Sequence, residues 1–223
     1  MRIVKGLTAA LLIIIICLFS FMLLYPENVY NYYLDYHRGK AGLVLKEAVI
    51  GDHKIKYLER ESSGETLVLL HGFGADKDNW NMLAAFMPGY HIVIPDLPGF
   101  GDSTVIMSAK YDVNTQVERL DVFFSSLGLK KFYLAGNSMG GNISGIYAAN
   151  HPDKIKGLIL LNNSGVIPPR PGEIWKGIEK GDNPLIVADA AGYSRLLKGI
   201  FVKEPYIPYP VKRHLAEKSV ARR

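Results

Sequence analysis

The narrowest constraint on this chain is the stretch Ala135-Gly136-Asn137-Ser138-Met139-Gly140-Gly141, which contains the pattern G-x-S-x-G. Residues 130–135 read as a short buried strand, and 142–150 as a helix rich in small residues. A strand that turns at once into a helix must reverse very tightly. Ser138 is therefore expected in strained backbone with its hydroxyl pushed into the open. Gly136 and Gly140 flank it because side chains there would collide across the turn. The helix that follows aims its free N–H groups at the point where negative charge would develop. The pentapeptide alone also arises by chance in a glycine-containing chain; the strand before it and the helix after it give it weight.

The rest of the chain supplies a consistent frame. Residues 43–49 and 53–59 read as two strands joined by a Gly51-Asp52 turn. Residues 66–70 (Thr-Leu-Val-Leu-Leu) and 91–94 (His-Ile-Val-Ile) are continuous apolar runs, as expected of strands buried on both faces of a parallel sheet. A helix is predicted over 76–87, with Trp80, Leu83, Phe86 and Met87 on one face. A second helix is predicted from a capping box at Thr115–Glu118 to Gly128. One more strand covers 155–161. From residue 66 the order is strand, helix, strand, helix, strand, helix, strand, which means a mostly parallel sheet covered by helices. From Gly165 the texture changes: Pro168, Pro169, Pro171, Pro184, Pro205, Pro208 and Pro210 alternate with aromatic and apolar residues. This segment reads as a helical cap, with a helix near 188–201, or as a poorly folded end. Lys212, Arg213, Lys218, Arg222 and Arg223 make its tail basic, as a solvated face.

At the other end, 7–25 is almost uninterruptedly apolar. A helix of that length reaches about 28 Å at roughly 1.5 Å per residue, enough to cross a bilayer core. A cleaved signal peptide is the rival reading, but its apolar region is usually shorter and ends in an A-x-A-like site, which Tyr25-Pro26-Glu27-Asn28 does not provide. An uncleaved single-pass anchor is therefore expected. Arg2 and Lys5 before the run place the N-terminus in the cytosol and the domain on the non-cytosolic side. Tyr25, Tyr30, Tyr32, Tyr33 and Tyr36 belong either to the membrane interface or to a stalk packed on the domain. The expected division is an anchor over 1–26, a tyrosine-rich stalk over 27–41, a core over 42–164 and a cap over 165–223. The net charge of +5 is mild and not gathered into a basic stripe, so nucleic acid is not an expected partner. The single cysteine, Cys17, rules out an internal disulfide.

Three motifs in order carry a resemblance: His71-Gly-Phe-Gly74, Asp96-Leu-Pro-Gly-Phe-Gly-Asp-Ser103 and Gly136-Asn-Ser-Met-Gly-Gly141. Together they resemble the α/β-hydrolase superfamily. The set is similar to cold-adapted bacterial lipases of the Moraxella and Psychrobacter kind and to membrane-anchored monoacylglycerol lipases of the ABHD family. The resemblance covers about residues 45 to 210. It implies that Ser138 is the nucleophile, that the backbone N–H groups of Phe73 and Met139 form the oxyanion hole, and that Gly136 and Gly140 are the elbow glycines. It implies structural roles for His71, Asp96, Asp102 and Asn137, and neither a cofactor nor a metal.

One departure stands out. Family members present serine, then acid, then histidine in chain order. After the elbow this chain has only His151, before Pro152, and His214, in the basic tail. Gly181-Asp182 is followed by Asn183-Pro184 and preceded by no strand. The triad Asp and His are therefore expected to be missing, with the last strands: two or three strand–helix units, roughly 60–100 residues at ~30 each. A fragment, a frameshifted product and a degenerate homologue all fit. Three functions compete: a serine ester hydrolase (lipase or esterase) acting on lipid-like esters at a membrane, a C–C bond hydrolase of ring-fission products, and a non-catalytic membrane-tethered binding protein. Dehalogenases and epoxide hydrolases are disfavoured, because they carry Asp where this chain has Ser138.

Overall fold

The computed structural model describes residues 2–166, 169–170 and 172–221. Pro168, Pro171, Arg222 and Arg223, counted above in the proline-rich segment and the basic tail, lie outside the described residues, as does the side chain of Arg2. In chain order the elements are α1 (Arg2–Leu24), α2 (Pro26–Ala41), β1 (Val44–Ile50), β2 (His53–Arg60), β3 (Thr66–Leu70), a 3-10 turn (Lys77–Trp80), α3 (Asn81–Ala85), β4 (His91–Pro95), α4 (Val113–Ser126), β5 (Phe132–Asn137), α5 (Met139–Asn150), β6 (Ile155–Leu161), α6 (Glu173–Glu179), α7 (Ala190–Ile200) and α8 (Tyr209–Ala221). They form two compact units: Met1–Asp35 with Arg170–Arg223, and Tyr36–Pro169.

The unit Tyr36–Pro169 holds one mixed sheet in the order β1-β2-β4-β3-β5-β6. β2 pairs antiparallel with β1 and β4, whereas β4, β3, β5 and β6 run parallel. The apolar runs of β3 and β4 are buried because successive side chains feed opposite faces. Val68, Leu70 and Val93 join one core with Phe123, Phe124, Phe132, Ile143 and Tyr147 under α4 and α5. Leu67, Leu69, Ile92 and Ile94 join the other with Ala41, Trp80 and Ala84 under the end of α2 and under α3. Chain connections leave β3 toward β4 and leave β5 toward β6, so they diverge between β3 and β5. In open α/β sheets, ligands bind in the crevice outside the strand ends at such a point.

Two helix boundaries differ from the sequence reading. The helix expected over 76–87 is a 3-10 turn followed by a single turn of α3, with Leu83 and Phe86 exposed. Lys77 and Asp78 at its start are committed to tertiary ion pairs instead of to a regular helix. The cap of α4 is Asp112, which accepts from Thr115 N–H at 3.1 Å, so the helix begins at Val113 and not within a Thr115 capping box. A carboxylate on the free amides of the first turn is a strong cap.

The other unit is helical. Val187, Tyr193 and Leu197 on or before α7 pack with Ala216 of α8. Among the described residues, Val4–Leu24 is the one helix long and apolar enough to cross a membrane, with a mean hydropathy of 2.9 and none of its most apolar window buried. The tyrosine-rich segment continues from it as α2.

The end of α2 is tied to the sheet by charge. Arg38 donates twice to Asp78, at 2.7 and 2.6 Å. Burial works to raise the Asp78 carboxyl pKa, but hydrogen bonds from Arg38 and Asn81, with Lys77 nearby, outweigh it and hold it below the usual range. A depressed pKa contributes stability above the unfolded value of about 3.9, lost as pH falls through the folded value. Arg38→Gln should therefore cost about 3 kcal/mol near neutral pH. The gap to the parent should narrow as the medium is acidified below the unfolded Asp value. Urea midpoints followed by Trp80 fluorescence in detergent check both; a gap that widens on acidification would contradict the pairing.

Candidate active site

Ser138 joins β5 to α5 with φ 53 and ψ −117, a left-handed conformation that side chains rarely adopt. Four backbone hydrogen bonds hold it there. Its N–H donates to Leu161 O at 2.9 Å, and its carbonyl accepts from Gly141 N–H, Asn142 N–H and Ser164 N–H at 3.0–3.1 Å. The two flanking glycines are required by close approach. A Cβ on Gly136 would overlap the Gly140 carbonyl and lie 2.5 Å from Ser144 Oγ; one on Gly140 would overlap His71 O and lie 2.5 Å from Leu70 O. The side chain of Ser138, half-buried, has no hydrogen-bond partner among the described residues.

The loop after β3 reaches the same place. A Cβ built on Gly72 would stand 3.1 Å from Ser138 Cβ. The structure thus brings Gly72, the residue before Phe73, beside Ser138, across the divergence between β3 and β5. Met139 is the first residue of α5, where an amide has no partner inside its own helix. Phe73 is half-exposed, with its ring 5.7 Å from that of Phe100.

His71 is buried and saturated. Leu97 N–H donates to its Nε2 at 3.0 Å, which makes Nδ1 the protonated nitrogen, and Nδ1–H donates to Gly72 O at 2.8 Å. Burial pushes its pKa down, so the ring is neutral and splices the loop after β3 to the loop after β4. Asp96 completes that splice. It accepts from Lys77 N–H (2.7 Å), Lys77 Nζ (2.8 Å) and Asp102 N–H (2.7 Å). Lys77 Nζ also reaches Asp102 at 2.6 Å. Burial works to lower the Lys77 pKa, but the charge of Asp96 and the hydrogen bonds to Asp102 and Asp96 raise it above its ordinary value. Sequence reading did not single out Lys77. A lysine three residues after a glycine-rich loop carries no signal until its carboxylates, far along the chain, are known. The turn Asn162–Ser164, which clamps the Ser138 carbonyl, was also missed, although Asn-Asn-Ser-Gly after an apolar strand is a turn signal.

Among the described residues of the unit Tyr36–Pro169, no histidine hydrogen-bonds Ser138. His53 pairs with Asp52 and Tyr111, and His91 with Glu59 and Thr66. His37 stacks on Tyr36. His151 stacks on Tyr147 at the C-terminal end of α5, about 20 Å from Ser138 along the helix at ~1.5 Å per residue. His214 belongs to the other unit, beside Tyr30. The described residues include no group of three or more His, Cys, Asp or Glu able to hold a metal ion.

Known proteins resemble this arrangement closely. The profile of the alpha/beta hydrolase fold family matches residues 65–179. Lipase 3 of Moraxella sp. (strain TA144) is 37% identical over 191 residues, covering 84% of this chain and 60% of that protein. Monoacylglycerol lipase abhd6-A of Xenopus laevis is 36% identical over 193 residues, covering 82% of this chain and 57% of that protein. The crystal structure of a membrane phospholipase A, a bacterial virulence factor, superposes with a TM-score of 0.86 at 40% identity, covering 98% of this chain and 71% of that one. The chain thus spans about three-fifths of the length of the curated relatives it matches.

The glycine contacts make a paired prediction within α5. Gly140→Ala should destabilise by roughly 1–3 kcal/mol, because the helix must move off β3. Gly145→Ala, where an added Cβ meets nothing within 4 Å, should be neutral or stabilise by up to about 1 kcal/mol. Urea midpoints of the two variants decide it; equal effects would remove the close approach from the argument.

Proposed function

The chain belongs to the alpha/beta hydrolase fold family, and from that premise we propose that it is a lipase- or esterase-type hydrolase of lipid-like carboxylic esters, working through an acyl-enzyme on Ser138. The carrying observation is the left-handed Ser138, whose hydroxyl has no hydrogen-bond partner among the described residues and whose Cβ lies beside Gly72. In the proposed mechanism the Ser138 Oγ attacks the ester carbonyl, and the resulting oxyanion accepts from the amides of Phe73 and Met139. The alcohol leaves, and water then releases the acid. Lipase 3 and monoacylglycerol lipase abhd6-A, as relatives, support an ester of a fatty acid as substrate.

A serine hydroxyl at neutral pH needs a base to take its proton. His71 is disqualified by its two engaged nitrogens, and His151 by distance. The chain is therefore proposed to turn over slowly, with only the contribution of oxyanion stabilisation and binding, roughly 10³–10⁴ over water. The same accounting of histidines favours a second reading, a non-catalytic membrane-tethered binding protein.

Hydrolysis of p-nitrophenyl butyrate separates these readings. The chain should be slow, Ser138→Ala slower still, and a version extended with the C-terminal part of a lipase relative at least about 100-fold faster than the chain alone. Robust turnover by the chain alone, abolished in Ser138→Ala, would mean that another group serves as base. No turnover by the extended version would favour the binding protein.

Anchoring by α1, as a single pass with the catalytic unit on the non-cytosolic side, belongs to the same proposal. The chain should stay with membranes through a high-salt wash, because an apolar span is not held by charge. A soluble product with a new N-terminus near residue 26 would identify a cleaved signal instead.

A further inference from the structure

We propose that α8 rests on the membrane surface and binds the phosphate of anionic lipid headgroups through Lys218. The inference rests on the anchoring reading above, and every residue it uses lies in the unit Met1–Asp35 with Arg170–Arg223.

The anchor helix serves as a depth gauge. Its apolar span ends at Leu24. The chain continues helically, with Tyr25 N–H donating to Phe21 O at 2.8 Å and Val29 N–H to Tyr25 O at 3.2 Å. Tyr30 therefore stands about 9 Å past the span at ~1.5 Å per residue. The headgroup layer extends about 5–8 Å beyond the hydrocarbon on each side. Tyr30 thus lies just past its outer edge, within about one helical rise of the headgroups at the upper thickness.

α8 is fastened at this level. The Lys218 ammonium sits 5.5 Å from the centroid of the Tyr30 ring, and the His214 ring lies 6.2 Å from it. Residues four apart share one helix face, so His214 and Lys218 form a stripe against Tyr30 of α2. Another face of α8 is committed to the apolar cluster of Ala216, Tyr193 and Leu197.

Charge singles out Lys218. Lys212 is paired with Glu204 at 2.7 Å, and Arg213 with Glu217 at 3.4 Å. Among the described residues Lys218 has no carboxylate partner. The ring attracts the ammonium but accepts no full hydrogen bond, so its N–H donors remain for an anion. At this depth the abundant anion is a lipid phosphate, and a lysine near an anionic surface gains about five-fold in binding from it. The segment entering α8 suits the same medium: Val202, Tyr206 and Tyr209 are strongly exposed.

The test uses the full chain in phosphatidylcholine nanodiscs with and without phosphatidylglycerol. Acetylation of Lys218 is followed by mass spectrometry and normalised to Lys131, an exposed lysine of the other unit. The Lys218 rate should fall about five-fold with phosphatidylglycerol present, and high salt should restore it. Equal rates in the two discs overturn the proposal. Equal slowing by inorganic phosphate without phosphatidylglycerol also overturns it, because the site would then need no lipid surface. A chain that fails to enter the discs overturns the anchoring reading and takes this proposal with it.

Discussion

The left-handed backbone of Ser138 is the point on which the sheet, its two cores and the candidate site converge. A side-chain-bearing residue in such a conformation costs about 1–3 kcal/mol and persists only when its surroundings over-determine it. Here they do. β6 receives the Ser138 N–H, the turn after β6 and the start of α5 donate to its carbonyl, and the absence of side chains at Gly136 and Gly140 lets α5 lie against the end of β3. The elbow is therefore a product of three neighbouring strands, and local sequence preference alone does not sustain it.

The loops that frame the elbow are held by a different force. Leu97 and Phe100 give them apolar contacts, and buried charge adds to these. Lys77, Asp96 and Asp102 form one network, which Lys77 joins through Asp78 to Arg38. Removing one partner from such a set leaves an uncompensated buried charge, which costs far more than the intact set contributes. The practical consequence is positional. The neutral His71 and the paired Lys77 lock the loop after β3 onto the loop after β4, and that fixes where Gly72 meets Ser138.

The anchor poses the opposite problem. None of the most apolar window of α1 is buried by protein, which is what makes it a candidate membrane span. The chain carries on past α1 as α2, which holds most of the tyrosine-rich segment.

Much of the fold was legible in the chain itself. The runs 66–70 and 91–94 are apolar at every second position on both faces, which only a strand covered on both sides satisfies, and they became β3 and β4. The strand-glycine-serine-glycine-helix order placed the elbow, because few backbone conformations connect those elements so abruptly. Tertiary structure decided the rest. Whether 76–87 formed one helix depended on Asp96, Asp102 and Arg38, distant in sequence, drawing Lys77 and Asp78 into ion pairs. That His71 is a neutral splice depended on the amide of Leu97 arriving at its Nε2. That Ser138 is clamped depended on the turn Asn162–Ser164 docking on its carbonyl. Periodicity and turn chemistry are local and can be read along the chain. A buried ion pair or a saturated ring exists only where segments far apart in sequence are brought to hydrogen-bond distance, and no local pattern encodes that distance.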